Sequence, residues 1–423
     1  MPMTRERLGR FALLLALVLL PWQTRWIVVS GKMDGLPWEY GTVSLYAAEL
    51  LVLASAALYG RLRLGDRSRF AIPLSWILLA CAFSSVFTPI PAVALGATFH
   101  AAMAALLFLL LLDERTDATQ ALTAFVVGLI PAALLGWDQV IAGSSFPQKW
   151  LGLAGHDAAT LGQSVVESAA GERTLRAYGP FPHPNVFGGF LAVGLWALAV
   201  LASRLRDHAR RHHLALPAML LAATLVITFS RGAWLAAALS LGFVVAALMW
   251  HGRLRAHAGL PLIWASLLAL VITMLVFHTQ LFTRFTPGAR LEARSLAERS
   301  ASYREAPEAF AISPVTGVGP SLYTLALSTF RPGAPAYEYQ PVHNAFLLYL
   351  VEVGLVGLFA SLPFLRRGWK AVNGIHVRSE RVFALSGTVL LITLGLFDHY
   401  LWSLWAGLSL AAVAGASVVR GKG

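Results

Sequence analysis

A chain of 423 residues with 57% hydrophobic and only 13% charged residues, at a mean hydropathy of +0.66, lies outside the range of water-soluble domains. Its net charge of +12 therefore speaks of membrane topology and anionic lipid before it speaks of nucleic acid. A single cysteine, Cys81, excludes an internal disulfide and any cysteine-based metal cluster.

Apolar runs of about 17–25 residues are long enough to cross a bilayer as helices. About twelve occur in order: 11–29, 41–60, 71–88, 90–112, 119–141, 184–203, 213–230, 232–250, 258–278, 344–364, 382–397 and 400–419. Pro21 and Arg25 interrupt the first, whose basic start resembles a signal peptide but lacks a small-residue cleavage site; it is expected to stay as an anchor. The predicted organisation is helices 1–5 in 1–141, a polar loop 142–183, helices 6–9 in 184–278, a large loop 279–343, and helices 10–12 in 344–423. The predicted fold class is thus all-α and polytopic, with about twelve transmembrane helices.

Charge sets the orientation. With the amino terminus inside, the inner segments hold 21 of the 33 basic residues, among them Arg10, Arg67, Arg115, Arg204 and Arg420, against seven acidic ones. The inner face carries +14 and the rest of the chain −2, as the positive-inside rule requires. Both long loops then lie outside. The short inner loops contain no glycine-rich nucleotide cradle, and no internal repeat of the kind that builds many secondary transporters is visible.

The outer segments hold the residues suited to chemistry. Arg176-Ala177-Tyr178-Gly179-Pro180-Phe181-Pro182-His183-Pro184-Asn185 is a rigid turn leading into the sixth helix, with Asn185 expected as its cap; Arg176 and His183 are less easily explained by structure alone. Arg231 sits between two apolar runs with no room for a loop, at a sharp turn where the next helix aims its positive end. A guanidinium there is suited to grip phosphate oxygens, though an interfacial arginine meeting lipid headgroups has the same pattern.

In the large loop, Ala289–Ile312 reads as a helix with Pro307 inside it. Helical spacing puts Leu296, Tyr303 and Phe310 on one face with Arg299 among them, and Arg290, Arg294, Arg304 and Glu308 on the solvated side. An arginine on such a face needs an anionic partner, either Glu292 or a ligand. Ser313–Pro320 is a turn-rich return toward the membrane. His343 then stands at the boundary before the tenth helix, placed to take a proton from an attacking hydroxyl; Asn344 is expected to cap that helix and orient the ring. Glu49 and Glu352 lie within apolar runs and need partners that the sequence does not identify, and the other histidines show no zinc-type spacing with carboxylates, so no metal is expected.

Taken in order, Gly179-Pro-Phe-Pro-His-Pro-Asn185, Ser230-Arg231-Gly232, Arg299-x3-Tyr303 leading to Pro314-x-x-Gly317-x-Gly319, and His343-Asn344-x-x-Leu347 resemble the bacterial O-antigen ligase and polymerase superfamily. The resemblance covers most of the chain, including the large outer loop between the ninth and tenth helices, and tyrosine stands at 303 where tryptophan is common. It implies a metal-independent, cofactor-free glycosyltransferase of the bacterial inner membrane. Such an enzyme moves a glycan from undecaprenyl diphosphate to an acceptor on the periplasmic face, lipid A–core oligosaccharide in the ligase branch. It further implies that Arg231 and Arg299 hold the diphosphate and that His343 is the general base; Arg176, His183, Tyr303 and Asn344 are the candidates to support them. Repeat-unit polymerase and protein O-oligosaccharyltransferase share this plan, and a lipid-linked sugar flippase is the alternative outside enzymes.

Overall fold

The computed structural model describes residues 4–168, 171–205, 212–250, 260–286 and 290–420. Each of the twelve apolar runs contains a helix. Among the described residues, seven are long and apolar enough to cross a membrane, from Gly65–Val86 to Arg378–Phe397, and an eighth crossing exists if the pair Pro261–Val276 and His278–Phe285, bent by 85°, is one span. Ala47–Tyr59, Ala215–Ile227 and Trp405–Arg420 are shorter apolar helices. The chain is a mostly helical polytopic membrane protein. In lipid only helices satisfy their own backbone groups, so the apolar composition and the helical fold are one constraint.

Several element boundaries differ from the sequence reading. The run 11–29 is a helix only over Arg5–Leu19; Arg25–Val29 is a strand paired antiparallel with Val43–Tyr46, with Trp26 opposite Leu45 and Ile27 opposite Ser44. The β-branched and aromatic side chains Trp26-Ile27-Val28-Val29 favour that choice once Pro21 has stopped the helix. The last run is broken into Tyr400–Ser403 and Trp405–Arg420. The loop 142–183 carries small hairpins, and among the described residues the large loop holds three α-helices where one was expected: His278–Phe285, Arg290–Ile312 and Tyr323–Phe330. Pro287, Gly288 and Ala289, expected just before and at the start of the middle helix, lie outside the described residues.

Pro184–Arg204 is the innermost span, with 83% of its apolar window buried. Proline at its first position costs no hydrogen bond there, and the cap is the ring of His183, whose Nδ1 accepts from the Asn185 backbone N–H at 3.1 Å. Asn185, expected as that cap, turns its side chain elsewhere. The site below is built on the start of this helix.

A second device fixes the large loop. The helix Ala345–Asn373 breaks at Gly354, where φ is 68° and ψ −167°. The segment Ser313–Pro320 docks into the break: the Gly319 N–H donates to the Glu352 carbonyl at 2.9 Å, and the Leu355 N–H to the Pro314 carbonyl at 2.9 Å. Gly317 has φ +75°, and a Cβ there would lie 2.2 Å from the Glu352 carbonyl oxygen. Gly317→Ala is therefore expected to cost about 2 kcal/mol or more, read as a lowered melting temperature of the purified protein.

Glu49 and Glu352, the carboxylates expected to need partners, both have them. Glu49 is fully buried, 2.5 Å from His100 Nδ1, and accepts the Tyr46 N–H at 2.9 Å. Glu352 accepts the Trp402 indole N–H at 2.7 Å and the Tyr323 backbone N–H at 3.4 Å.

Candidate functional site

Helix Ala215–Ile227 ends in a turn so tight that Phe229 adopts φ 49°, and Arg231 begins the next helix. The strained turn exposes the Phe229 carbonyl, which accepts from the Arg284 guanidinium at 2.9 Å. Arg284 also pairs tightly with the buried carboxylate of Glu292. Arg231 approaches the other oxygen of Glu292 at 3.1 Å, a charge contact without hydrogen-bond alignment, and donates to the Arg284 carbonyl at 3.2 Å. Two guanidinium groups thus share one carboxylate, and positive charge is left over.

Arg299 adds to it. It lies two helical turns beyond Glu292 on the stripe Glu292, Arg299, Ala306, which with Ser302 and Ala309 forms the inward face of Arg290–Ile312. Leu296 and Tyr303 are 49% and 43% exposed on the neighbouring stripe. The expected apolar stripe is thereby divided: Leu296 and Tyr303 are exposed, whereas Phe310 packs against the core beside Ala306 and Ala309. Among the described residues the half-buried Arg299 side chain has no hydrogen bond or carboxylate partner; Glu292 is taken by Arg231 and Arg284.

The third strand of the site comes through Arg176. Its guanidinium is buried, donating to the Thr228 carbonyl at 2.8 Å and to Asn185 Oδ1 at 2.7 Å. Burial, reinforced by Arg284, lowers its pKa to about 9, which leaves it charged at neutral pH. Asn185 passes the contact on, its amide donating to Asp398 Oδ2 at 2.7 Å. Asp398 ends the helix Arg378–Phe397, and its carbonyl accepts the Ala345 N–H at 3.0 Å, which brings it against the residue preceding the Asn344 cap. There His343 Nδ1 lies 3.8 Å from Asp398 Oδ1, and the rings of His343 and His399 are 5.5 Å apart.

The Asn344 side chain caps Ala345–Asn373 by accepting the Phe346 and Leu347 N–H groups at 3.0 Å. Its amide meets the Tyr303 hydroxyl at 3.4 Å, and that hydroxyl donates to the Leu396 carbonyl at 3.3 Å, so Tyr303 ties the loop helix to the start of the tenth.

Electrostatically the site is divided. Burial opposes the charge on Asp398, yet the adjacent imidazoles outweigh it and hold its carboxyl well below the usual carboxylate range. Burial and Arg176 push His183 down to about 3; its Nδ1 accepts a backbone N–H, so the tautomer places the proton on Nε2, 3.1 Å from Ser164 Oγ. His399 falls to about 4, chiefly through burial, with its Nδ1 2.7 Å from Ser403 Oγ. An unfolded histidine protonates near 6.5 while His399 in the fold does not, so stability is lost as pH falls from 6.5 toward 4. Between pH 6.5 and 5 that loss is expected to reach about 2 kcal/mol, and His399→Gln should melt with correspondingly less acid sensitivity.

The structure therefore brings Arg176, His183, Arg231, Arg299, Tyr303, His343 and Asn344 to one end of the bundle. It adds Arg284, Glu292, Asn185 and the pair Asp398–His399, which sequence spacing did not join to His343. His343, Asp398 and His399 offer three ligand atoms within 4.8 Å of one another, the group among the described residues able to hold a cation.

Residues 216–362 match the family model described as Wzy_C, O-antigen ligase, a stretch that includes Arg231, Arg284, Glu292, Arg299, Tyr303 and His343 but not Arg176 or Asp398. No curated protein matches the chain. Over that stretch the chain is similar to the O-antigen ligase family.

Proposed function

We propose that this protein is a member of the O-antigen ligase and polymerase superfamily and transfers a glycan from undecaprenyl diphosphate to a sugar hydroxyl of lipid A–core oligosaccharide. The reaction takes place on the periplasmic face of the bacterial inner membrane. The bent pair, the three shorter apolar helices and Arg5–Leu19 complete a twelve-pass reading with the two long loops outside. The observation that supports it most is the surplus of guanidinium charge beside a carboxylate-backed histidine at one end of the bundle, within and next to the matched region.

In this reading Arg231 and Arg299 hold the diphosphate and neutralise charge as it leaves, a preorganised electrostatic role. Arg284 fixes Glu292 and the Phe229 turn, and so sets the position of Arg231. His343 takes the proton of the acceptor hydroxyl, and the Asp398 carboxylate, 3.8 Å from its Nδ1, places negative charge beside the imidazolium that forms. The acceptor oxygen bonds to the anomeric carbon as the carbon–oxygen bond to the diphosphate breaks. Configuration inverts, and undecaprenyl diphosphate departs. No covalent glycosyl-enzyme and no metal is required. Arg176, His183, Asn185, Tyr303 and Asn344 position these groups through the contacts described above.

Purified protein given lipid-linked glycan and lipid A–core should release undecaprenyl diphosphate and form one ligated product, at a rate that EDTA leaves unchanged. A ladder of lengthening lipid-linked glycan would make it a polymerase, and a glycosylated protein a protein O-oligosaccharyltransferase. A metal requirement would instead assign a cation to His343, Asp398 and His399. Vesicle translocation of the donor without release would make it a flippase, a reading weakened by the fact that Glu49 and Glu352 are both engaged in structural contacts.

A further inference from the structure

The far end of the same bundle holds a second basic site. Pro184–Arg204 runs from the candidate active site to its last residue, Arg204, a distance of about 30 Å at 1.5 Å per residue. There a cavity of about 500 Å³ is lined by Arg10, Arg67, Arg115, Arg204 and Arg420, each from a different part of the chain, with Glu114 and Asp117. That is the size of a small-ligand site.

These arginines are not alike. Arg115 is structural: it is paired with Asp113 at 2.8 Å and lies 4.1 Å over the Tyr59 ring. Asp117 is spent on the Gln120 N–H as the cap of Ala118–Ala142. Arg67 donates to the Leu112 carbonyl at 3.3 Å, and Arg420 to the carbonyls of Leu111 and Thr116, so backbone contacts aim both guanidinium groups without neutralising them. Arg10, Arg67, Arg204 and Arg420 have no carboxylate ion pair among the described residues. Arg204 and Arg420 are only partly exposed, a position where charge is costly, and the carboxylates that act on them, Asp117 and Glu380 on Arg204 and Asp117 and Asp113 on Arg420, lie beyond ion-pair distance. The positive-inside rule accounts for arginines on this face; it does not require four unpaired ones around one cavity.

We infer that the cavity formed by Arg10, Arg67, Arg204 and Arg420 is a binding site for a phosphate-bearing anion, distinct from the diphosphate site at the other end. The ligand is the headgroup of an anionic phospholipid or a free phosphate. Basic pockets between helix ends recruit lipid headgroups in this way, and a guanidinium fork fits two phosphate oxygens. Occupancy would tie the ends of the first, sixth and last helices together.

The test uses the full-length protein in detergent with dioleoylphosphatidylglycerol, dioleoylphosphatidylcholine or inorganic phosphate, followed by native mass spectrometry and thermal melting. The wild type is expected to retain phosphatidylglycerol about tenfold more tightly than phosphatidylcholine. Arg67→Gln with Arg204→Gln should lose roughly tenfold in that affinity, whereas Arg378→Gln, an exposed arginine outside the cavity, should not. Stabilisation by inorganic phosphate at millimolar concentration, abolished by the same double substitution, would identify a soluble phosphate as the ligand. Equal retention of the two lipids by the wild type with no effect of phosphate, or undiminished phosphatidylglycerol retention by the double variant, would overturn the inference. Neither readout involves glycan transfer, so its failure leaves the reading of the active site untouched, and the reverse.

Discussion

His343→Ala is expected to reduce glycan transfer by about 10²- to 10⁴-fold while donor binding stays near the wild-type level. The two effects separate because of where the imidazole stands. His343 is partly exposed beside Asp398, its Nδ1 makes no hydrogen bond, and it contributes to no cap or core cluster. Its removal therefore takes away a proton acceptor without opening a cavity or freeing a helix end. Asp398→Asn is expected to have a related but smaller effect on rate and some cost in stability, since the same carboxylate also receives the Asn185 amide and the His399 N–H. A His343→Ala protein that is correctly inserted and transfers glycan normally would remove the general base from the mechanism.

Arg299→Ala is expected to lower the rate by about 10²- to 10³-fold and to weaken donor binding as well, with melting behaviour close to wild type. Its side chain has no protein partner among the described residues, so little structural energy is lost with it. Arg231→Ala should behave differently. Arg231 shares Glu292 with Arg284 and touches the Arg284 carbonyl, so its loss combines a catalytic defect with a loosened turn. An Arg299→Lys variant should recover only part of the activity, because an ammonium cannot bridge two phosphate oxygens as the guanidinium fork does. Full activity in Arg299→Ala would place the diphosphate elsewhere.

Much of this arrangement is legible in the sequence, and the physical reason is the same in each case. Apolar runs of bilayer length leave few alternatives to a helix, so a helix stands in each run. Where two runs abut at Arg231 a tight turn is forced, and where a polar Asn344 meets an apolar run a cap follows. What escaped was tertiary. Asp398 and His399 are 55 and 56 positions from His343 and join it only because the Ala345 N–H is bound to the Asp398 carbonyl. Arg284 was hidden inside a boundary helix, which the sequence reading treated as loop. The apolar stripe of Arg290–Ile312 is split because its end at Phe310 reaches the core while Leu296 and Tyr303 stay exposed. The small residues Ser302, Ala306 and Ala309 pack inward, which the spacing of large apolar residues does not reveal. Similarly, Trp26-Ile27-Val28-Val29 is apolar enough for a span but has the β-branched and aromatic character of a strand.

The central claim is that the lipid-linked diphosphate lies against Arg231 and Arg299 with its glycan facing His343. A donor analogue carrying a photoreactive group beside the diphosphate addresses this directly, by identifying the peptides it labels in the purified protein. Labelling is expected on the Phe229–Arg231 turn and on Arg290–Ile312, and to fall sharply in Arg299→Ala. Labelling confined to the arginine cavity at the opposite end of Pro184–Arg204, or spread evenly along the lipid-facing helices, would contradict it.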